Sequence, residues 1–172
     1  MKNLWLDVET TGLDPIVNGI VQVAMIIEED GTVLDGLNLK MNPKGRLIEQ
    51  EALGINGITV EEIWDSPDWR EVYPEIVDLL VDYGGNYRLC GQNVGFDLDF
   101  MESYFTECSA SSLYTFKNYI RRDTIDTLSV VRTLEKIGAV EPLKKHNLGY
   151  MCNHFGIELK NSNDRSFRCK TG

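Results

Sequence analysis

Apolar and polar residues alternate from Leu4 to Glu9, which sends Leu4, Leu6 and Val8 to one face and Trp5, Asp7 and Glu9 to the other. This predicts a half-buried strand. Ile20 to Ile27 is rich in apolar and β-branched residues, Glu29-Asp30-Gly31 reads as a turn, and a second extended run follows from Thr32 to Leu39. Together they predict a hairpin joined to the first strand. After Ser66-Pro67, an N-cap and first-turn proline, the residues Trp69, Val72, Ile76, Leu79, Leu80 and Tyr83 recur at helical spacing, with Pro74 inside the pattern and Gly84-Gly85 closing it. Tyr87 to Cys90 predicts a short strand running into Gly91-Gln92-Asn93-Val94-Gly95. Beyond it, Asp97, Phe100, Met101, Tyr104 and Phe105 share one helical face, with Asp97 in the first turn. Two more helices are predicted, one from Leu128, Val131, Leu134 and Ile137, the other from Leu148, Met151, Cys152 and Phe155 with Gly156 as its stop. A hairpin followed by strands alternating with helices predicts an α/β layered single domain with a mixed sheet.

The 172 residues, 42% of them apolar, are enough for one core and short for two. No window approaches the ~20 apolar residues of a membrane span, and no charged leader with a small-residue cleavage site is present, so a cytoplasmic protein is expected. Cys90, Cys108, Cys152 and Cys169 form no C-x-x-C pair, which favours free thiols over a disulfide frame or structural zinc. The formal net charge of -10 makes the surface as a whole repel a phosphate backbone, so any contact with nucleic acid must be local.

Asp7 and Glu9 on one strand face repel each other, and partial burial would raise the proton affinity of at least one. A divalent cation removes the conflict. Carboxylate oxygens suit Mg²⁺ or Mn²⁺, and Asp97, arriving from a helix start, would complete an open site for phosphoryl chemistry with two ions about 4 Å apart. A solvent-facing pair and an ordinary helix cap would produce the same spacing, so spacing alone leaves both readings open.

The stretches "LDVETTGLDP" and "GQNVGFDLDF" resemble the first two motifs of the DnaQ-like (DEDD) 3′-5′ exonucleases. "GINGIT" is similar to that family's His-Gly-Ile-Thr segment with Asn56 at the histidine position, "DTIDTLSVVR" to its Asp-Thr helix opening, and "HNLGYMCNHFGIEL" to the helix before its third motif. The likeness runs from about residue 3 to 160, with 161–172 atypical. It implies an RNase H-like mixed sheet flanked by helices, and it makes Asp7, Glu9 and Asp97 the catalytic metal ligands for Mg²⁺ or Mn²⁺, Asp7 being shared between two ions. It also implies that Thr10, Thr11, Gly12 and Leu13, with Asn93, bind the terminal nucleotide of a single-stranded 3′ end of DNA or RNA. In that picture Leu13 wedges against a base, while core packing of Leu13 stays open as the alternative. A homo-oligomer or a polymerase-type partner would suit the family, and no membrane is implied. Asp126 is read as an N-cap, Asp99 as surface, and His146 and His154 as surface.

The third motif departs from the family. Aligned through Asp164 of "NSNDRSFRCKTG", Asn163 stands where the general-base histidine belongs and Arg168 where the fourth aspartate belongs. Asn cannot accept a proton, and losing a general base costs ~10²–10⁴ in rate. Impaired activity is therefore expected. A non-catalytic nucleic-acid or protein-binding module on the same fold is the rival reading. A frame-shifted end is another history for the tail: Ser-Phe-Arg-Cys written TCT-TTC-AGA-TGC and read one nucleotide later gives Leu-Ser-Asp-Ala, the missing aspartate in register. An aspartyl-phosphate phosphatase would need an aspartate in place of Glu9 and a Gly-Asp pair, which is absent.

Overall fold

The structure, a computed structural model, describes residues 1–158 apart from 110, 112 and 113. Asn163, Asp164, Arg168 and Cys169, with the readings attached to them, lie outside the described residues. The chain runs β1 (Lys2–Thr10), β2 (Ile20–Glu29), β3 (Thr32–Lys40), α1 (Gln50–Asn56), α2 (Val60–Asp65), α3 (Trp69–Asp82), β4 (Tyr87–Gly91), α4 (Val94–Cys108), β5 (Ile120–Asp126), α5 (Thr127–Lys136) and α6 (Leu148–His154). The five strands form one sheet in the order β3-β2-β1-β4-β5, antiparallel on the hairpin side and parallel from β1 through β4 to β5.

The alternation in β1 behaves as its sequence predicts. Leu4, Leu6 and Val8 are buried, and they join Phe100, Met101, Tyr104 and Phe105 of α4 and Trp69, Val72, Ile76 and Leu80 of α3 in the main core. Trp5 and Asp7 stay open to solvent on the other face. A smaller cluster of Val21, Leu53, Ile58 and Ile63 seats α1 and α2, and a third of Val131, Leu143 and Met151 joins α5 to the α6 segment. Tyr104 donates its hydroxyl to the Trp69 carbonyl at 2.7 Å, so its burial leaves no orphaned polar group.

Several expectations need correction. The cap of α3 is Asp68, whose carboxylate accepts from the Arg70 N–H, while Ser66 ends α2. The segment 120–126 forms a strand: at the sheet edge, paired only with β4, it can keep a polar sequence. Thr59 and Glu62 close a capping box that starts α2, a signal present in the sequence and unread there. His146 is half-buried rather than on the surface, its Nε2 2.9 Å from Glu135 Oε2. Asp126 does cap α5, accepting from Leu128 N, and Asp99 is exposed. Cys90, Cys108 and Cys152 are free thiols. Among the described residues, no helix is long and apolar enough to cross a membrane.

Candidate active site

β1 outruns its parallel neighbour. Its register with β4 ends at Trp5 opposite Cys90, and the chain leaves β4 at Gly91 to enter α4. The approach is close: a Cβ on Gly91 would sit 2.9 Å from the Leu6 carbonyl oxygen and 3.0 Å from Val94 Cγ1. Beyond that point the Val8 N–H has no ladder partner on the β4 side, and Asp97 Oδ1 in the first turn of α4 accepts it at 2.9 Å. This bond brings Asp97, only 5% exposed, against the stretch of β1 that carries Asp7 and Glu9.

The electrostatics follow from that placement. Desolvation is the main force lifting the Asp97 carboxyl, opposed by the Val8 N–H and reinforced by the negative charges of Asp7 and Glu9, and it titrates at about 7. Desolvation likewise lifts Asp7, and lifts Glu9 with added repulsion from Asp7. Three carboxylates that each hold a proton more tightly than usual, with Asp7 adding repulsion to the other two, form a hard-oxygen donor set with uncompensated negative charge, which is the chemistry a divalent cation satisfies. Among the described residues, no three His, Cys, Asp or Glu side chains are drawn together into a ready-made metal cage. The donor types fit a cation, and the ligand geometry is open rather than preformed.

Following β1, the Thr10–Gly19 segment is held by buried polar side chains. Thr10 Oγ1 donates to Gly12 O at 2.7 Å, and Thr11 Oγ1 donates to Leu47 O at 2.6 Å and accepts from Gly19 N. Asn18 donates to Leu47 O and to Glu49 Oε1, and accepts from Asp14 N. A Cβ on Gly12 would lie 2.4 Å from that Asn18 amide, so glycine is required there. Thr10 and Thr11 are thus buried scaffold, while Leu13 projects outward at 80% exposure. That exposure removes core packing as its role. Asn93, the left-handed residue heading α4, turns its N–H to Asp126 rather than to the β1 carboxylates, and its side chain is exposed and makes no cap bond.

Sequence reasoning noted Asn56 but gave it no structural role. Asn56, at the family's histidine position, donates from Nδ2 to the Thr10 carbonyl at 2.8 Å and so ties α1 to the end of β1. Its place in the "GINGIT" stretch was the available signal.

A family model described as Exonuclease, of RNase T type, matches residues 4–162. The chain belongs to this DnaQ-like exonuclease family. It is 29% identical over 156 residues to the PolC-type DNA polymerase III of Oceanobacillus iheyensis and 30% identical over 156 residues to that of Thermotoga petrophila. Each alignment takes in 89% of this chain and 10% of the relative, so the chain spans about a tenth of the length of these curated relatives. Among solved structures, product-bound exonuclease I superposes with a TM-score of 0.78 at 21% identity, over 94% of this chain and 40% of that one. The metal-free E. coli exonuclease I complex with single-stranded DNA gives 0.75 at 21% identity, over 91% of this chain and 36% of that one. These likenesses show the fold, which is the RNase H-like exonuclease fold. Exonucleases of this fold use divalent metal ions.

Proposed function

We propose that residues 1–172 form an exonuclease domain that removes nucleotides from the 3′ end of a single strand, with Asp7, Glu9 and Asp97 holding Mg²⁺ or Mn²⁺. The observation that carries this reading is the Asp97–Val8 hydrogen bond, which turns a helix carboxylate onto the strand that carries the other two. Divalent ions held there by Asp7, Glu9 and Asp97 would supply activation of a water and stabilisation of the leaving oxygen. The chain's own contribution is orientation. β1 fixes Asp7 and Glu9 on one face, Val8 N–H aims Asp97, and the pinned turn at Thr10–Gly12 presents Leu13 to a terminal base. Packing of an apolar side chain against a base tolerates any base, so digestion with little sequence preference follows. Asn93, exposed at the head of α4, is assigned to the same nucleotide, and Thr10 and Thr11 contribute through the backbone they shape.

Asn163 and Arg168 replace the general base and the fourth ligand of the family pattern, and turnover is accordingly reduced by ~10²–10⁴ against a relative with the complete motif. A cytoplasmic setting and a polymerase-type partner are proposed from the relatives' identity as PolC-type DNA polymerases. The open ligand geometry favours a second reading, a nucleic-acid-binding module that does not cut. Incubating a 5′-labelled single strand with the protein and Mn²⁺ decides between them. A ladder shortening from the 3′ end, abolished by Asp7→Ala, supports the exonuclease. Binding without shortening, unchanged in Asp7→Ala, supports the module.

A further inference from the structure

The outward lip that carries Leu13 is anchored through two successive carbonyls, one to Ser103 of α4 and the other to Arg46, which is itself paired with Glu107 of α4. Ser103 Oγ donates to Pro15 O at 2.5 Å. Arg46 Nη1 donates to Ile16 O, while its Nη2 pairs with Glu107 at 3.1 Å and lies 3.5 Å from Ser103 Oγ. The guanidinium also lies over the Trp69 ring, 5.2 Å from its centroid, and the Arg46 side chain is only 12% exposed. A planar fork bridging a carbonyl and a carboxylate while stacked on an indole is a task lysine performs only in part. Around this anchor the lip itself is bare, with Leu13, Ile16 and Val17 all exposed and apolar.

Asp97 sits in the first turn of α4 and Ser103 and Glu107 in its later turns. We propose that Arg46 is a positioning residue which, with Ser103, clamps the Leu13–Val17 lip onto α4, so that the helix bearing the buried carboxylate also sets where a strand end is gripped. The clamp stands on the structure alone, and its service to a 3′ end rests on the function proposed above. Glu107 keeps Arg70 as a partner at 3.4 Å when Arg46 is replaced, so an Arg46→Gln chain retains a compensated carboxylate there.

Two readouts on the full chain test this. Hydrogen exchange, which needs no ligand, compares wild type with Arg46→Gln, Arg46→Lys and Ser103→Ala. Binding of an oligothymidylate ending in 2-aminopurine, with Ca²⁺ present, reports the grip by fluorescence. In Arg46→Gln the amides of 12–14 and 16–18 exchange about tenfold faster while those of α4 are unchanged, and the oligonucleotide Kd rises about tenfold, the size of one charge-assisted hydrogen bond lost. Arg46→Lys falls between, and Ser103→Ala loosens the lip without touching the Glu107 pair. Unchanged lip exchange in Arg46→Gln overturns the clamp, and a loosened lip with wild-type affinity overturns its service to a strand end. If the lip loosens but wild type itself does not bind the oligonucleotide, the clamp stands and the exonuclease reading fails.

Discussion

Replacing Asp97 by asparagine should stabilise the metal-free protein at alkaline pH. Asp97 is 5% exposed and its carboxyl is lifted from 3.8 to about 7, so folding holds its proton where the unfolded chain releases it. A raised carboxyl contributes stability that is fully present below 3.8 and is lost as pH rises through about 7. At about 1.4 kcal/mol per pH unit, the interval between 3.8 and 7 amounts to about 4 kcal/mol lost by pH 8. Asparagine keeps an oxygen for the Val8 N–H and carries no charge to repel Asp7 and Glu9. In EDTA the variant should therefore gain on wild type from about pH 4 to about pH 7.5, and the gap should level off above that. With a urea slope of about 2 kcal/mol/M, the midpoints should separate by about 1–2 M at the alkaline end. A difference between the two proteins that does not change with pH would refute this, because it would mean that Asp97 titrates near its ordinary value and is not crowded by the other two carboxylates.

Other consequences are as direct. Saturating Mn²⁺ at about 100 times its Kd should add about 2.7 kcal/mol and raise the melting temperature of wild type by about 5–10 °C, with most of the shift absent in Asp97→Asn. Leu13→Ala, at a solvent-exposed position, should leave the stability from urea denaturation within about 0.5 kcal/mol of wild type yet weaken binding of a single-stranded 3′ end. A fall in stability comparable to a core truncation would return Leu13 to a packing role. Gly12→Ala should cost about 1–3 kcal/mol in urea denaturation, because its Cβ meets the pinned Asn18 amide at 2.4 Å.

The parts of the fold that periodicity could express were legible. The two faces of β1, the hairpin and the α4 stripe led by Asp97 all follow from residues whose burial alternates with period two or recurs near four. β5 was not legible, because Ile120-Arg121-Arg122-Asp123 sits at a sheet edge where little burial is demanded of it. The start of α3 was misplaced because Ser66 and Asp68 both make good caps. The choice fell to a long-range bond pair, Asn42 N to Pro67 O and Trp69 N to Asn42 O, that no local pattern encodes.

At the site the same division holds. Asp7, Glu9 and Asp97 stood out as carboxylates in otherwise apolar runs, and the family likeness joined them. The bonds that shape the turn, from Asn18, Asn56 and Arg46, cross up to 46 residues of sequence and belong to side chains that no local pattern singles out for this task. Leu13 was ambiguous for a related reason, since whether a leucine is buried or bare depends on what lies opposite it.

The most direct test of the account is a Mn²⁺ titration of the full chain followed by the loss of the free-ion electron paramagnetic resonance signal, run on wild type, Asp7→Asn and Asp97→Asn. Saturable binding in wild type that is lost or greatly weakened in both variants is the predicted result. Binding equal in all three, or none in wild type at millimolar Mn²⁺, would contradict the claim that these three carboxylates hold the ions.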